Sequence, residues 1–310
     1  MPRKLTLDYV SFLLVFLGLP LAIFLIFVIS PFLQAVYYSM TNWTGFSPAM
    51  DFVALDNFVR LFQDSSFLQA MGNNIVLAIV VPLITIAIAL VFASMITVGG
   101  ASHGQVRGLK GSSFYRVISF FPYVIPAIVI AILWNMIYQP NGLLNGLLAL
   151  VGLNTNEFSW LGDERTAMGS TIFVIVWSMV GFYMVLFVAA IKGIPAETLE
   201  AARIDGAGRF RTVVSILLPQ MRDNVQTAYI YLGILALDAF VYMAGLNATG
   251  GPGNSTLVMS QYLFRTAFEK GQFGLASAMG VVLAVVTLAF AALVIGVFRL
   301  LGGKDDGDRA

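Results

Sequence analysis

The sequence predicts an all-α membrane protein with six transmembrane helices. Hydrophobic residues make up 59% of the 310 residues and charged residues only 11%, whereas a soluble domain carries about 25% charged residues. Six apolar segments each reach the roughly 20 residues that a helix needs to cross a bilayer. Their apolar runs lack the strict alternation of outer-membrane barrel strands. Helices are expected because lipid offers no hydrogen-bond partner to backbone N–H and C=O groups.

The predicted spans follow one another along a single transmembrane domain, residues 1–310. The first span begins soon after Arg3 and Lys4. It exceeds the apolar core of about 7–15 residues found in signal peptides, and we interpret it as a retained anchor. The connection after it contains a short amphipathic helix between about Leu55 and Leu68. The predicted spans cover about residues 10–38, 75–98, 114–138, 167–191, 225–246 and 275–300.

Lys and Arg residues predict the orientation of the chain. Thirteen of the 17 fall in the terminal segments and in the second and fourth connections, which share one side of the membrane. The remaining four lie on the other side. Because cytoplasmic connections are enriched in Lys and Arg, both termini are predicted to be cytoplasmic.

Composition excludes several kinds of chemistry. The chain has no cysteine, so it forms no disulfide and no thiolate site, and His103 is its only histidine. The net charge of +1 and the lack of a basic tract argue against nucleic-acid binding. No Gly-x-x-x-x-Gly-Lys-Ser/Thr loop occurs, so any ATP must bind another chain. We therefore predict no catalytic residue, metal or cofactor on this chain.

The longest predicted cytoplasmic connection, residues 192–223, has the pattern of a helix–turn–helix. Pro195 suits the first turn of a helix, and Glu200 complements the positive end of that helix. Gly206 allows a sharp break. A second helix is predicted from Arg209 to Leu217, with Pro219 ending it.

The same segment resembles a known motif. Glu200-Ala201-Ala202, then Gly206, then Ile216-x-Leu218-Pro219 match the EAA motif of ABC importer permeases, and Asp205-Gly206-Ala207-Gly208 resembles its form in carbohydrate permeases. Other segments are similar to the maltose-type family over nearly the whole chain. They include Leu55-Asp56-Asn57-Phe58, Phe121-Pro122-Tyr123-Val124-Ile125-Pro126 and Gly250-Gly251-Pro252. The chain is identified as a member of this carbohydrate-uptake family, nearest to actinobacterial amino-sugar or oligosaccharide permeases.

The resemblance implies a type I ABC importer permease in a bacterial cell membrane. The implied partners are a second permease subunit, two cytoplasmic ATPase subunits that carry ATP and Mg²⁺, and an extracytoplasmic solute-binding protein that delivers a sugar. Residues 192–223 would be the coupling loop, in which Glu200 offers a carboxylate to the ATPase. The implied coupling set comprises Glu200, Ala201, Ala202, Asp205, Gly206, Ala207, Arg209, Ile216, Leu218 and Pro219.

The fifth predicted span contains the candidate transport path. An acid inside a span costs about 2.5–3.5 kcal/mol at the bilayer centre, so Asp238 indicates a function there. Tyr231, Leu235, Asp238 and Tyr242 are spaced to share one helical face. Asp238 could equally bond to the partner permease.

The resemblance places further sugar contacts in the fourth span, around Met179, Phe182 and Tyr183. The positions that are most often polar in the family's fifth span fall here on Leu235, Ala236 and Ala239, which is a departure from the family's pattern.

Three alternatives remain at this point. A stand-alone secondary transporter would carry coupling-ion acids or broken helices in matched halves. A membrane enzyme would need a cluster of reactive side chains. The same architecture could also import glycerol phosphate or another small polar solute, although an anion favours Arg or Lys deep in the path.

Overall fold

The computed structural model describes residues 7–98, 111–153, 155 and 158–302. Over these residues the secondary structure is helical, and the only extended pairing is an isolated antiparallel bridge between Thr41 and Phe52. The predicted all-α class is confirmed for this part of the chain.

The helices are numbered in chain order. The first, α1, is a continuous helical segment, residues 7–38, with π-helical turns at Leu14–Gly18 and Leu25–Ile29. In the fourth connection, three consecutive helical stretches are treated as one helix, α9. The remaining bounds are α2 Asp56–Gln63, α3 Ser65–Val98, α4 Ser112–Val124, α5 Ala127–Ile137, α6 Leu143–Leu150, α7 Glu164–Lys192, α8 Ala196–Ile204, α9 residues 209–220, α10 Arg222–Leu237, α11 Phe240–Leu246, α12 Met259–Phe268 and α13 Phe273–Gly302.

Four helical segments of the described chain are long and apolar enough to cross a membrane: Val10–Tyr38, Ser65–Thr97, Glu164–Lys192 and Phe273–Leu301. Two bent pairs, α4 with α5 and α10 with α11, raise the number to six if each pair is one span. The helix α3 begins ten residues before the predicted start of the second span, so the predicted amphipathic helix is divided. Its first part is α2 and its second part, with Leu68, belongs to α3.

The third predicted span is not one straight helix, because α4 and α5 meet at 95°. Ile125 has the extended backbone that a residue before proline prefers, and Pro126 supplies no N–H to continue the helix. The fifth predicted span is also broken, between α10 and α11, with a bend of 49°. The prediction of a continuous helix is wrong at both places.

The packing of the chain divides it into two compact units. One unit comprises the described part of residues 1–65 together with 263–284. Asn57 fixes the turn that follows α1, because its buried side-chain amide donates to the backbone oxygens of Ser39 (2.9 Å) and Thr41 (2.8 Å). The ring of Trp43 stacks on Tyr38 with 4.4 Å between centroids.

The other unit comprises the described part of residues 66–262 and 285–310. Its central helix is α7, which packs against α4, while α11 packs against α5. Gly181 permits the first of these contacts, since a Cβ at that position would overlap the backbone oxygen of Ser119. This unit contains both broken helix pairs and the segment 192–223.

Candidate functional site

The segment 192–223 forms a helical hairpin, made of α8, a short turn and α9. The turn depends on Gly206, whose φ of 74° lies in the left-handed region that favours glycine. The backbone N–H of Asp205 bonds to Ala201 O (3.0 Å), and that of Ala207 bonds to Ala202 O (2.9 Å). These bonds satisfy carbonyls at the end of α8, so the turn is a defined cap.

One face of the hairpin is fixed to the membrane-embedded core. Leu199, Ala202 and Leu217 are buried, and Leu199 and Leu217 belong to the same apolar cluster as α7. Of the predicted coupling residues, Ala202 is therefore used in packing, and Ile216 and Leu218 are half-buried against this cluster. Pro219 lies in the last turn of α9, directly after a π-helical turn.

The opposite side of the hairpin carries the exposed part of the predicted set. Ala201, Asp205, Gly206 and Pro219 are exposed, and Glu200 and Ala207 are half-buried. Arg209 begins α9, but its side chain lies outside the described residues.

Two large apolar side chains beside the turn were missed by the sequence reasoning. Ile204 is 87% exposed and Phe210 is 82% exposed. They flank the Asp-Gly-Ala-Gly turn at the ends of α8 and α9. Apolar groups exposed together at a rigid turn are typical of a surface that another protein covers. The signal in the sequence was a large apolar residue on each side of a glycine-rich turn.

The break in the fifth span is held by a residue from a distant helix. Asn74, on α3, is fully buried, and its side-chain amide donates to the backbone oxygen of Leu237 (2.7 Å). Its side-chain oxygen accepts a bond of 2.7 Å from the backbone N–H of Met259. Asp238 lies in the break itself, directly after Leu237, and is exposed. The carboxylate therefore lies where the helix is interrupted.

The break separates the residues that were expected to share one helical face. Tyr231 lies on α10 and is 66% exposed, whereas Tyr242 lies on α11 and is buried. The hydroxyl of Tyr242 forms a 2.8 Å hydrogen bond with Ser178. Leu235 is half-buried and Ala239 is buried. Among these residues only Tyr231 and Asp238 are exposed.

Aromatic side chains of α4 and α7 pack against one another. The ring of Phe182 stacks on Tyr123 with 4.5 Å between centroids, and it contacts Tyr183 edge-on at 5.1 Å. Tyr123 and Tyr231 both lie within electrostatic range of Tyr183. We call Tyr123, Phe182, Tyr183 and Tyr231 the aromatic cluster. Met179 is buried beside it on α7. Tyr123 was not predicted as a path residue, because it lies some sixty positions from Phe182 in the chain.

Described residues of α3, α4 and α7 line a cavity of about 510 Å³. Its lining is almost wholly apolar and includes Phe92, Ile118 and Trp177, but none of the predicted path residues. An apolar lining does not suit a polar solute, so the aromatic cluster is the better candidate for solute contact. No group of three or more His, Cys, Asp or Glu side chains that could hold a metal occurs in the described part of the chain.

Two further amides of α3, close to Asn74 in the chain, hold a glycine-rich loop. Gln69 donates to the backbone oxygen of Gly253 (2.8 Å). Asn73 donates to the backbone oxygens of Asn254 (3.0 Å) and Leu257 (2.8 Å). Three neighbouring amides of one helix thus fix both this loop and the break beside Asp238.

Comparison with known proteins matches residues 95–304 to the family described as binding-protein-dependent transport system inner membrane component. The chain is 61% identical to the diacetylchitobiose uptake system permease protein NgcF of Streptomyces coelicolor, over 98% of this chain and 86% of the relative. It is 38% identical to the probable ABC transporter permease protein YurN of Bacillus subtilis, over 93% and 95% of the two chains.

A solved structure is also similar. A chain of a bacterial ABC transporter involved in the import of the acidic polysaccharide alginate matches with a TM-score of 0.76 and 25% identity. The match covers 94% of this chain and 97% of the alginate transporter chain.

Proposed function

Because the chain belongs to the family of binding-protein-dependent transport system inner membrane components and is a permease subunit of an ABC importer, we propose that it forms half of the path for a neutral oligosaccharide. An N-acetylated disaccharide such as diacetylchitobiose is the first candidate. The observation that carries the substrate class is the 61% identity to a diacetylchitobiose permease over nearly the whole chain. The chain's own role in this function is transport rather than catalysis.

The proposed topology has six spans and both termini in the cytoplasm, with residues 1–310 acting as one permease domain. Thirteen of the 17 Lys and Arg residues then lie inside, which supports this orientation. The terminal segments and residues 99–110, which contribute to that number, lie outside the described residues. The proposed partners are a second permease subunit, two ATPase subunits that bind ATP and Mg²⁺, and an extracytoplasmic solute-binding protein.

The helical hairpin is proposed to couple the permease to an ATPase subunit. Ile204 and Phe210 would lose their exposed apolar surface in a groove of the ATPase, and Glu200 would bond to a basic side chain beside it. Coupling requires that ATP favours one arrangement of the complex through contacts that differ between the two states. Leu199 and Leu217, buried in the apolar core, support this role because they link the hairpin to the same apolar cluster as α7.

The aromatic cluster and Asp238 are proposed to contact the sugar. Aromatic rings pack against the apolar faces of sugar rings, and the carboxylate of Asp238 accepts hydrogen bonds from hydroxyl groups. The exposed ring of Tyr231 supports this proposal. A phosphate-bearing solute would call for Lys or Arg deep in a span, and the central parts of the six predicted spans contain neither. A neutral sugar is therefore favoured over glycerol phosphate.

The test is transport by the whole complex in proteoliposomes. Permease, partner permease, ATPases and solute-binding protein are reconstituted, and ATP-dependent uptake of labelled diacetylchitobiose is measured. Uptake is expected only with ATP and all subunits present. Sugar transport by this chain alone, without ATP, would overturn the proposal, and uptake of glycerol phosphate but of no sugar would overturn the substrate class.

A charge reversal tests the coupling role in the same assay. Glu200→Lys is expected to abolish uptake while the complex still inserts into the membrane. Glu197→Lys, an exposed position in the first turn of the same helix, is the matched control and is expected to keep most of the uptake. Equal uptake by the two variants would remove Glu200 from the proposed interface.

A further inference from the structure

The short helix α6, between the third and fourth predicted spans, presents an apolar face that no described residue of its own unit covers. Leu143, Leu147 and Leu150 are spaced i, i+4 and i+7, so they lie on one face of the helix. Leu150 is 83% exposed, and Val151, just after the helix, is 72% exposed. Residues 143–153 include no charged side chain. This face is poorly suited to contact with water.

The opposite face of α6 is fixed by one buried amide. Asn145 donates to the backbone oxygens of Pro140 (3.0 Å) and Phe158 (2.8 Å), and it accepts a 2.8 Å hydrogen bond from the indole N–H of Trp160. All polar groups of this side chain thus point away from the apolar face. The outward direction of the leucines is therefore set by specific bonds.

The end of α6 is equally well defined. Gly152 has a φ of 84°, and its N–H bonds to Ala149 O (3.0 Å). The N–H of Leu153 bonds to Leu148 O (3.0 Å). This pair of bonds is a Schellman cap, which closes the helix and satisfies its last carbonyls within the segment. The exposed surface of the segment thus needs no further hydrogen-bonding partner.

The position of α6 along the chain sets its depth. It begins six residues after α5 ends at Ile137. Tyr138 and Trp160 lie beside this junction with 6.5 Å between ring centroids, and Phe158 lies 5.0 Å from Trp160. Tryptophan and tyrosine concentrate where the hydrocarbon of a membrane meets the headgroups. Because α6 begins six residues after a predicted span ends and lies beside the half-buried Trp160, a position at the height of that boundary is expected.

We propose that α6 lies flat in the membrane interface and inserts its apolar face among lipid acyl chains, as an anchor that does not span the bilayer. Helices that lie in the membrane interface bury their apolar side about 5–10 Å into the boundary region. A protein partner fits less well, because the cores of protein interfaces favour aromatic residues and arginine within a polar rim. The face of α6 offers only aliphatic side chains.

The absence of cysteine from the chain allows a direct test of this proposal. Leu150→Cys and Leu147→Cys are each labelled with the fluorophore NBD, and the complete complex is placed in lipid nanodiscs that contain 5-doxyl or 12-doxyl phosphatidylcholine. The control is Arg165→Cys, an exposed position in the first turn of α7. We expect quenching by the 5-doxyl lipid to be at least roughly twofold stronger at positions 150 and 147 than at the control, and stronger than by the 12-doxyl lipid. Aqueous iodide should show the opposite order of positions.

Two results would overturn the proposal. Iodide quenching at positions 150 and 147 equal to that at the control would show that the face is in water. Blue-shifted emission that neither iodide nor doxyl lipid quenches would show that another protein subunit covers it. Two labelled positions guard against a local effect of one substitution. The readout involves no transport, so it is independent of the sugar that the complex carries.

Discussion

The side-chain amide of Asn74 donates a 2.7 Å hydrogen bond to the backbone oxygen of Leu237, the last residue of α10. The oxygen of the same amide accepts a 2.7 Å bond from the backbone N–H of Met259, the first residue of α12. A carbonyl released by a helix break inside a membrane finds no water to bond with. One buried amide thus satisfies one backbone group at the end of α10 and another at the start of α12.

Replacement of Asn74 by leucine is expected to destabilise the complex. Both Leu237 and Met259 would lose a buried partner, which costs about 1–3 kcal/mol for each unsatisfied group. The measurement is the thermal unfolding midpoint of the purified complex. Asn135→Leu, which removes a single 2.7 Å bond to Leu246 O, is the control, and a larger loss from it than from Asn74→Leu would contradict the prediction.

Two glycines of α7 should respond in opposite ways to alanine. At Gly181 a Cβ would overlap the backbone oxygen of Ser119, and backbone cannot move aside cheaply, so Gly181→Ala should separate α7 from α4 and lower the yield of folded protein. At Gly169 no atom lies within 4 Å of the added Cβ. Gly169→Ala should be neutral or stabilising by about 0.5–1 kcal/mol. Size-exclusion profiles and thermal midpoints would measure both, and equal effects would refute the predicted contact.

The exposed tip of the hairpin should matter for association and not for folding. Ile204→Ser and Phe210→Ser remove apolar surface that is exposed in this chain. If an ATPase covers it, each change should weaken ATPase binding by about 1.5–3 kcal/mol, which is roughly 10–150-fold in Kd. Affinity between purified permease pair and ATPase is the measurement. Leu199→Ala, at a buried position of the same hairpin, should instead lower the thermal midpoint of the permease, and the reverse pattern would disprove this assignment.

A role of Asp238 in sugar transport can be tested separately from a role in assembly of the complex. Asp238→Asn preserves shape and removes the charge, and it is expected to lower sugar uptake per complex without lowering complex yield. Tyr231→Ala should raise the sugar concentration needed for half-maximal uptake, because it removes an exposed ring of the aromatic cluster. If Asp238→Asn instead prevents assembly while each assembled complex transports normally, the carboxylate bonds the partner permease.

Local signals allowed much of the fold to be predicted. The first span was predicted at residues 10–38, and the structure has an apolar helix at Val10–Tyr38, because length and apolar content are properties of one segment. The turn at Gly206 was likewise marked by glycine and its neighbours. The break between α4 and α5 is marked in the sequence by Pro126, but the predicted span ran through this proline as one helix.

Other features depend on contacts between distant parts of the chain. No proline or glycine marks the break at Asp238, and the residue that stabilises it, Asn74, lies more than 160 positions earlier. Two large apolar residues beside a glycine-rich turn were the sequence signal for Ile204 and Phe210, but the same residues would also suit a packed core, so their exposure needed the structure. Tyr123 lies in the aromatic cluster because α4 packs on α7, and the sequence does not show that contact.

In the proposed path, the interruption of the fifth predicted span would also shape the electrostatic potential that a solute meets. The peptide dipoles of α10 direct their negative end toward Asp238, whereas α11, which begins at Phe240, directs its positive end toward the same break. The two helix ends therefore oppose each other, and the carboxylate supplies the net negative charge there. Such a region attracts O–H and N–H donors and repels phosphate and carboxylate groups. A polyhydroxylated, acetamido-bearing molecule offers many donors and no negative charge, so the discontinuity would act as a charge filter without any basic or metal-binding side chain.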